Sequence, residues 1–210
     1  MSSKRLVLLR HGQTTWNAEH RIQGQQDVEL DDTGHAQAAA AAPYVAAYAP
    51  SLLWCSDLAR ARQTAAYVAK ETGLDPTYDA RLRESALGEC ETLTHEELAA
   101  ASPEQYAAFR RGDWDLLPGA EGQAVVRERM VAALEDLRAA LPEGGTGVAV
   151  SHGAALRVAV AGLLGWPEGA QWTLGNLRNC HWVELAESPA RGGRLVLEGY
   201  GLTPISLSRD

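Results

Sequence analysis

Short apolar runs alternate with longer stretches of helical periodicity along this chain. Residues 5–9 form a run of branched apolar side chains that ends at His11-Gly12, and residues 146–150 repeat this design before His152-Gly153. A third run covers residues 52–55. Runs of this length, closed by polar residues and glycine, are typical of strands that are buried on both faces of a parallel sheet.

Helical patterns separate these runs. The first covers 33–48, with Asp32 or Thr33 as the expected N-cap, and the second covers 57–72 and closes at Gly73. Two more helical patterns cover residues 121–141, which Pro142 ends, and residues 154–164. Strands that alternate with helices predict the α/β class, here a three-layer α/β/α sandwich with a mostly parallel central sheet.

The end of the chain predicts two late strands, 180–186 and 194–198, which form a hairpin at the sheet edge with a surface turn at 188–193. The middle segment, 85–120, mixes short helical pieces with loops and is interpreted as an insertion over the sheet. A length of 210 residues fits one domain, so residues 1–210 are expected to fold together.

Charge and composition exclude several classes of protein. The net charge is −8 at pH 7, and the 19 cationic residues include 2 lysines, so no nucleic-acid partner is expected. No apolar run approaches the ~18 residues that cross a bilayer, and the run before Arg10 is too short for a secretory leader, so no membrane partner is expected either. Cys55, Cys90 and Cys180 form no CxxC pair, which argues against a disulfide scaffold or a zinc site. We expect a cytoplasmic protein with reduced thiols.

Candidate chemistry lies at the ends of the predicted strands. His11 and His152 follow twin strand-to-loop junctions, and ligands of α/β sheets bind outside the carboxyl ends of the strands. Arg60 lies in the first turn of the 57–72 helix, where free N–H groups, the helix dipole and a guanidinium together favour phosphate. A surface ion pair with Asp57 or Glu71 is the alternative for Arg60, and Arg62 is expected to point elsewhere.

Four segments resemble, in order and spacing, the motifs of the histidine phosphatase (phosphoglycerate mutase-like) superfamily. Residues 9–17 (LRHGQTTWN) resemble the opening signature, and residues 56–65 (SDLARARQTA) the second motif. Residues 81–84 (RLRE) are similar to the segment with the family's acid, and residues 150–153 (VSHG) to the last motif. The resemblance implies the phosphoglycerate mutase-like fold, with 85–120 as a lid over the active site.

The resemblance also implies a role for each matching residue. His11 is the expected nucleophile, which takes the phosphoryl group of a small phosphorylated metabolite as a phosphohistidine. Glu84 is the expected proton donor to the leaving alkoxide and later the base for water; a salt bridge with Arg81 or Arg83 is its alternative. The phosphoryl oxygens are expected to contact Arg10, Asn17, Gln23, Gly24, Arg60 and His152.

Physical chemistry is consistent with these roles. A neutral imidazole is a competent nucleophile near its ordinary pKa of about 6.5, and fixed cations stabilise a transferring phosphoryl group, so neither a metal nor a cofactor is expected. A cysteine phosphatase would need C-x5-R, and Cys55 is out of register with both Arg60 and Arg62. The four remaining histidines show no ligand spacing: His20, His35, His95 and His181.

Two alternatives remain open at this point, a mutase-type transfer and a phosphate-binding module without turnover. The segment after Glu84 contains no lysine to hold a second phosphate, which favours hydrolysis. Arg110 or Arg111 could still contact a substrate carboxylate or a second phosphate, and a solvated helix end is the alternative for both. Residues 89–92 and 119–122 depart from the family pattern, and the substrate is left undetermined. A homodimer is possible, since Trp166, Trp172 and Trp182 could belong to the core or to an interface.

Overall fold

The computed structural model describes residues 3–204. Its centre is a six-stranded sheet in the order β3-β2-β4-β1-β5-β6. The strands are β1 (Arg5–Arg10), β2 (Leu52–Cys55), β3 (Thr77–Tyr78), β4 (Thr146–Ser151), β5 (Trp182–Ser188) and β6 (Arg194–Leu202). The first four are parallel, whereas β5 pairs antiparallel with β1 and β6 pairs antiparallel with β5. The predicted α/β class, the mostly parallel sheet and the late hairpin are confirmed.

Seven helices lie among the described residues, and two layers of them cover the sheet. They are α1 (Thr15–Ala18), α2 (Asp32–Ala46), α3 (Ala59–Thr72), α4 (His95–Ala101), α5 (Pro103–Arg111), α6 (Gln123–Ala140) and α7 (Gly153–Leu163). Alternate residues of β1 face opposite layers: Leu6 and Leu8 pack with α6 and α7, whereas Val7 and Leu9 pack with α2 and α3. The structure is therefore the three-layer sandwich that the pattern predicts.

The helix boundaries differ slightly from the prediction. The N-cap of α2 is Asp31, not Asp32 or Thr33, because the Asp31 carboxylate accepts a hydrogen bond from the N–H of Gly34 at 2.7 Å. Helix α3 begins at Ala59 rather than at residue 57, since Leu58 is extended, and it ends at Gly73 as predicted, with φ of 73°. Strand β3 escaped the sequence analysis because two exposed residues carry no pattern.

The segment between Glu84 and α6 contains α4, α5 and two 3₁₀ turns, Gly88–Cys90 and Trp114–Leu116. This matches the expected mixture of short helical pieces and loops. Another 3₁₀ turn, Pro189–Arg191, links β5 to β6 where a surface turn was predicted. Within residues 3–204, no helix is both long and apolar enough to cross a bilayer.

Candidate active site

Strands β1 and β4 are neighbours, and this pairing brings the two histidines together. The register aligns Arg10 with Ser151, so the next residue of each strand is a histidine at the same sheet edge. The N–H of His11 donates to the carbonyl of Ser151 at 3.0 Å, and the rings of His11 and His152 lie 5.1 Å apart, centroid to centroid. Both side chains are buried. The twin junctions therefore form one site.

The ring of His11 is held in one tautomer. Its Nδ1 lies 2.6 Å from the carbonyl oxygen of Gly12. Because a carbonyl only accepts, Nδ1 carries the hydrogen, which leaves the lone pair on Nε2. The loop that carries His11 is itself held: Asn179 donates to the His11 carbonyl at 3.0 Å, and Thr64 Oγ1 accepts from the N–H of Gly12 at 3.0 Å.

A side chain at position 12 would break this loop. A Cβ built on Gly12 would lie 2.5 Å from the carbonyl oxygen of Gly34. Both atoms are fixed by the backbone, so the clash could be relieved only if the chain itself moved. Glycine at this position therefore allows the loop to pack against the start of α2.

The environment favours uncharged imidazole rings. Burial, together with the charges of Arg60 and Arg10, holds the pKa of His11 well below its usual 6.5, and only the hydrogen bond to Gly12 opposes this. Burial and Arg60 likewise hold the pKa of His152 well below 6.5. Both rings are therefore neutral at neutral pH, which is the state that a nucleophile requires.

These lowered pKa values predict a pH-dependent stability. Between pH 6.5 and the lower folded pKa, each histidine is protonated in the unfolded chain but not in the folded one, so stability falls as pH falls below about 6.5. Two such groups should cost about 2–3 kcal/mol between pH 7.5 and 5.5. Urea unfolding at the two pH values measures this, and a His11→Asn variant should lose about 1.4 kcal/mol less than the parent chain. An equal loss in both proteins would contradict the assignment.

Arg60 is buried, with 1% of its surface exposed, and does not form the surface ion pair considered as its alternative. Its Nη1 and Nη2 donate to the carbonyls of Gln26 at 2.6 Å and Gly24 at 2.8 Å, and its Nε donates to Nδ1 of His152 at 3.2 Å. Desolvation lowers the pKa of Arg60 to about 10, so it stays charged at neutral pH. Asp57 instead pairs with Arg83 at 2.6 Å.

His152 lies behind Arg60 and not at the cavity wall. Since the Nε–H of Arg60 can only donate, Nδ1 of His152 is the acceptor, and Nε2 carries the hydrogen that it donates to Ser56 Oγ at 2.8 Å. The structure thus brings His152 into contact with Arg60, and its contact with phosphoryl oxygens stays a prediction. Ser56 was not predicted as a site residue, although it stands in the second motif.

Other polar atoms at the site have no protein partner. Nε of Arg10 and Oε1 of Gln23 are buried without a hydrogen bond to any residue of the range 3–204. Arg10 is held by its Nη1, which donates to the carbonyl of Leu177 at 2.5 Å, and Oδ1 of Asn17 accepts from Asn179 at 3.1 Å. Arg10, Asn17, Gln23 and Gly24 all line the cavity, and the carbonyl of Gly24 also accepts from Arg60.

Glu84 sits at the N-terminus of α7. Its carboxylate oxygens accept from the N–H groups of Ala154 at 3.1 Å and Ala155 at 2.8 Å. This is the favourable end of the helix dipole for a negative group. The alternative of a salt bridge with Arg81 or Arg83 is wrong, because these arginines pair with Asp79 at 2.7 Å and Asp57 at 2.6 Å.

The backbone of Glu84 is positioned by Arg129, which the sequence analysis missed. Arg129 donates to the carbonyls of Arg81 at 2.8 Å, Arg83 at 2.7 Å and Glu84 at 3.1 Å, and it pairs with Glu121 at 2.6 Å. Glu121 belongs to the divergent segment 119–122, which therefore supports the acid. Its partner Arg129 lies on α6, outside the four motifs, so the sequence did not indicate this pair.

The other divergent segment, 89–92, holds the loop around Gly24. Oε1 of Glu91 accepts from the N–H groups of Leu87 at 2.9 Å and Gln25 at 3.1 Å, and its Oε2 accepts from Gln26 at 2.8 Å. Because carbonyls of this loop bind Arg60, Glu91 positions the guanidinium indirectly.

The N-terminus of α3 is not open to a ligand in the way the sequence suggested. The carboxylate of Asp27 accepts from the N–H of Ala59 at 2.6 Å and so occupies the first turn. Arg60 nevertheless lies in this turn, as predicted, and Arg62 is exposed on another face.

A cavity of about 400 Å³ opens in front of His11 and Arg60. One wall comes from the segment between Glu84 and α6, the other from α7 and the loop before β5. Arg110 and His95 line it, whereas Arg111 pairs with Asp113 at 2.8 Å. Within residues 3–204, no three side chains of His, Cys, Asp or Glu gather as a metal site would require.

Comparison with known proteins gives concordant results. Residues 6–198 match the model of the histidine phosphatase superfamily, branch 1. The chain is 38% identical over 192 residues to a glucosyl-3-phosphoglycerate phosphatase of Mycolicibacterium vanbaalenii, covering 89% of this chain and 85% of that protein. It is 39% identical over 176 residues to the probable phosphoglycerate mutase GpmB of Escherichia coli, covering 83% and 81%. A solved structure of a mycobacterial glucosyl-3-phosphoglycerate phosphatase with VO3 superposes with a TM-score of 0.87 at 36% identity, covering 95% of this chain and 99% of that one.

Proposed function

This chain belongs to the histidine phosphatase superfamily and is a phosphatase of a phosphorylated metabolite, and we propose that it works without a metal ion, through a phosphohistidine at His11. The observation that carries the proposal is the ring of His11, whose Nδ1 faces the Gly12 carbonyl, whose Nε2 keeps its lone pair, and whose pKa is held low by burial and by the charges of Arg60 and Arg10. A binding module would need no such nucleophile.

In the first step, Nε2 of His11 bonds to phosphorus as the bond from phosphorus to the ester oxygen breaks. The charge on the phosphoryl oxygens is stabilised by Arg10 and Arg60, whose guanidinium groups need no rearrangement because backbone carbonyls hold them. Arg10 Nε, Gln23 and Asn17 supply further polar groups at the cavity wall. These fixed cations stabilise the charge on the phosphoryl oxygens, as a metal ion does in metal-dependent phosphoryl transfer.

Glu84 completes both steps. In the first, its carboxyl proton passes to the leaving alkoxide. In the second, a water oxygen bonds to phosphorus, the bond to His11 breaks, and the carboxylate of Glu84 takes the proton of the water. Its position on the N-terminus of α7 orients it at the cavity wall.

For the substrate we propose glucosyl-3-phosphoglycerate or a close analogue, following the name of the mycobacterial relatives. The cavity of about 400 Å³ exceeds what a phosphate group fills, and Trp114, Trp172 and Phe109 also line it. Residues 85–120 serve as its lid. Return of the phosphoryl group, as in a mutase, is disfavoured because no lysine follows Glu84 to hold a second phosphate.

Phosphate release in the presence of EDTA tests the proposal. We expect hydrolysis of p-nitrophenyl phosphate and of glucosyl-3-phosphoglycerate at rates unchanged by EDTA or by added Mg²⁺, because Arg10 and Arg60 provide the positive charge. Among phosphorylated metabolites, glucosyl-3-phosphoglycerate should show the highest kcat/KM. Loss of turnover on chelation, restored by a divalent ion, would contradict the metal-independent route.

A further inference from the structure

Arg157 lies on α7, one turn after the residues whose N–H groups hold Glu84. The spacing from Ala154 to Arg157 places both on one face of the helix, and both line the cavity. Nη1 and Nη2 of Arg157 donate to Asn176 Oδ1 at 3.0 Å and to the carbonyl of Leu174 at 2.8 Å. Its guanidinium stacks 4.5 Å from the ring centre of Trp172. The cation is therefore held rigidly at the wall.

The charge of Arg157 is not balanced within the protein. Among residues 3–204 it forms no ion pair with a carboxylate, and its Nε is buried without a hydrogen bond. Burial lowers its pKa, with Tyr200 and Glu84 opposing the effect from a distance. Removing a cation from water without a partner is costly, so such a group at a cavity wall indicates that an anion arrives with the ligand.

The other cavity arginines are already accounted for. The proposed mechanism assigns Arg10 and Arg60 to the phosphoryl group, and Arg21 pairs with Glu97 at 3.3 Å. Arg110, the candidate raised by the sequence, is exposed and hence solvated by water. Glu84 is the one carboxylate among the residues that line the cavity, and two backbone N–H groups of α7 hold it.

We propose that Arg157, with the free amide of Asn176 beside it, forms a subsite for a carboxylate of the substrate, apart from the phosphoryl pocket. This rests on the proposed function and assigns the preferred substrate class as phosphate monoesters of hydroxy acids. A carboxylate bound here accepts a charge-assisted hydrogen bond from a guanidinium whose orientation Trp172 and Leu174 already set.

Two esters that differ in one group test the subsite: 3-phosphoglycerate, and glycerol 3-phosphate, which has a hydroxymethyl group in place of the carboxylate. The wild type should prefer 3-phosphoglycerate in kcat/KM by about 10- to 100-fold. Arg157→Met should remove this preference through KM and leave kcat/KM for p-nitrophenyl phosphate within about threefold. Arg110→Gln is the matched control and should keep the preference.

An Asn176→Asp variant provides a second test of the subsite, in case Arg157→Met fails to fold. Asn176 is exposed, and the new carboxylate still accepts from Arg157, so the fold is retained while the subsite is neutralised. Its preference for 3-phosphoglycerate should fall at least about tenfold. No preference in the wild type, or a preference lost in Arg110→Gln and kept in both other variants, overturns the subsite. Failure to hydrolyse even p-nitrophenyl phosphate would instead contradict the proposed function.

Discussion

Replacing His11 with Asn should abolish phosphatase turnover, with kcat/KM lower by about 10⁴-fold or more, because the asparagine amide cannot bond to phosphorus in place of the imidazole. The asparagine amide can still donate to the Gly12 carbonyl, so the loop is retained. After brief reaction with ³²P-labelled substrate and an alkaline quench, the wild type should carry a phosphoramidate label, and acid should release it. The variant should carry no label.

His35→Ala is the matched control for this experiment. His35 lies on α2 and its Nδ1 contacts the hydroxyl of Tyr67 at 3.2 Å, away from the cavity. This variant should keep both turnover and label. Retention of label in His11→Asn would place the intermediate on another residue, and normal turnover without any label in the wild type would favour direct attack by water.

Replacing Glu84 with Gln should reduce hydrolysis in a way that depends on the leaving group. For an alkyl ester such as glucosyl-3-phosphoglycerate, whose alkoxide needs a proton, kcat/KM should fall by about 10²–10⁴-fold. For p-nitrophenyl phosphate the first step needs no acid, because p-nitrophenolate leaves as the anion. The amide oxygen can still accept from one of the two N–H groups of α7 that hold the carboxylate.

The same variant should stall with phosphate on His11. Without a base for water, the second step is slow, so p-nitrophenol should appear as a burst that matches the enzyme concentration, followed by a slow steady rate. Glu89→Gln, an exposed carboxylate of the neighbouring 3₁₀ turn, is the control and should show no burst. Equal losses on both esters would indicate that Glu84 acts on binding and not on proton transfer.

Much of the fold was predictable because its signals are local. The apolar runs of β1, β2 and β4 and the glycine that ends α3 each lie within a few residues of sequence. The elements that escaped lack a local signal: β3 is two exposed residues, and the N-cap of α2 shifted to Asp31 because the chain had a choice of adjacent carboxyl groups.

The interpretation of single residues was less successful wherever a distant partner decided it. The ion pairs considered for Arg60 and Glu84 used neighbours in sequence, whereas the structure gives these residues the carbonyls of Gly24 and Gln26 and the N–H groups of α7. Arg157 had one signal that went unused, a charged residue inside an otherwise apolar helix.

The sequence by itself determined the class of fold, the family resemblance and the side chains proposed for the reaction, His11 and Glu84 among them, because strand and helix periodicity and motif order are local properties of the chain. Only the tertiary structure decided how these groups are used. Which nitrogen of His11 keeps its lone pair, what orients Arg60, and whether Arg157 has a counter-ion all depend on contacts between residues that are far apart in sequence. Burial also depends on the tertiary structure. Because folding excludes water from these side chains, it lowers the pKa of His11, which keeps the imidazole neutral, and lowers the pKa of Arg157, whose charge loses its solvation.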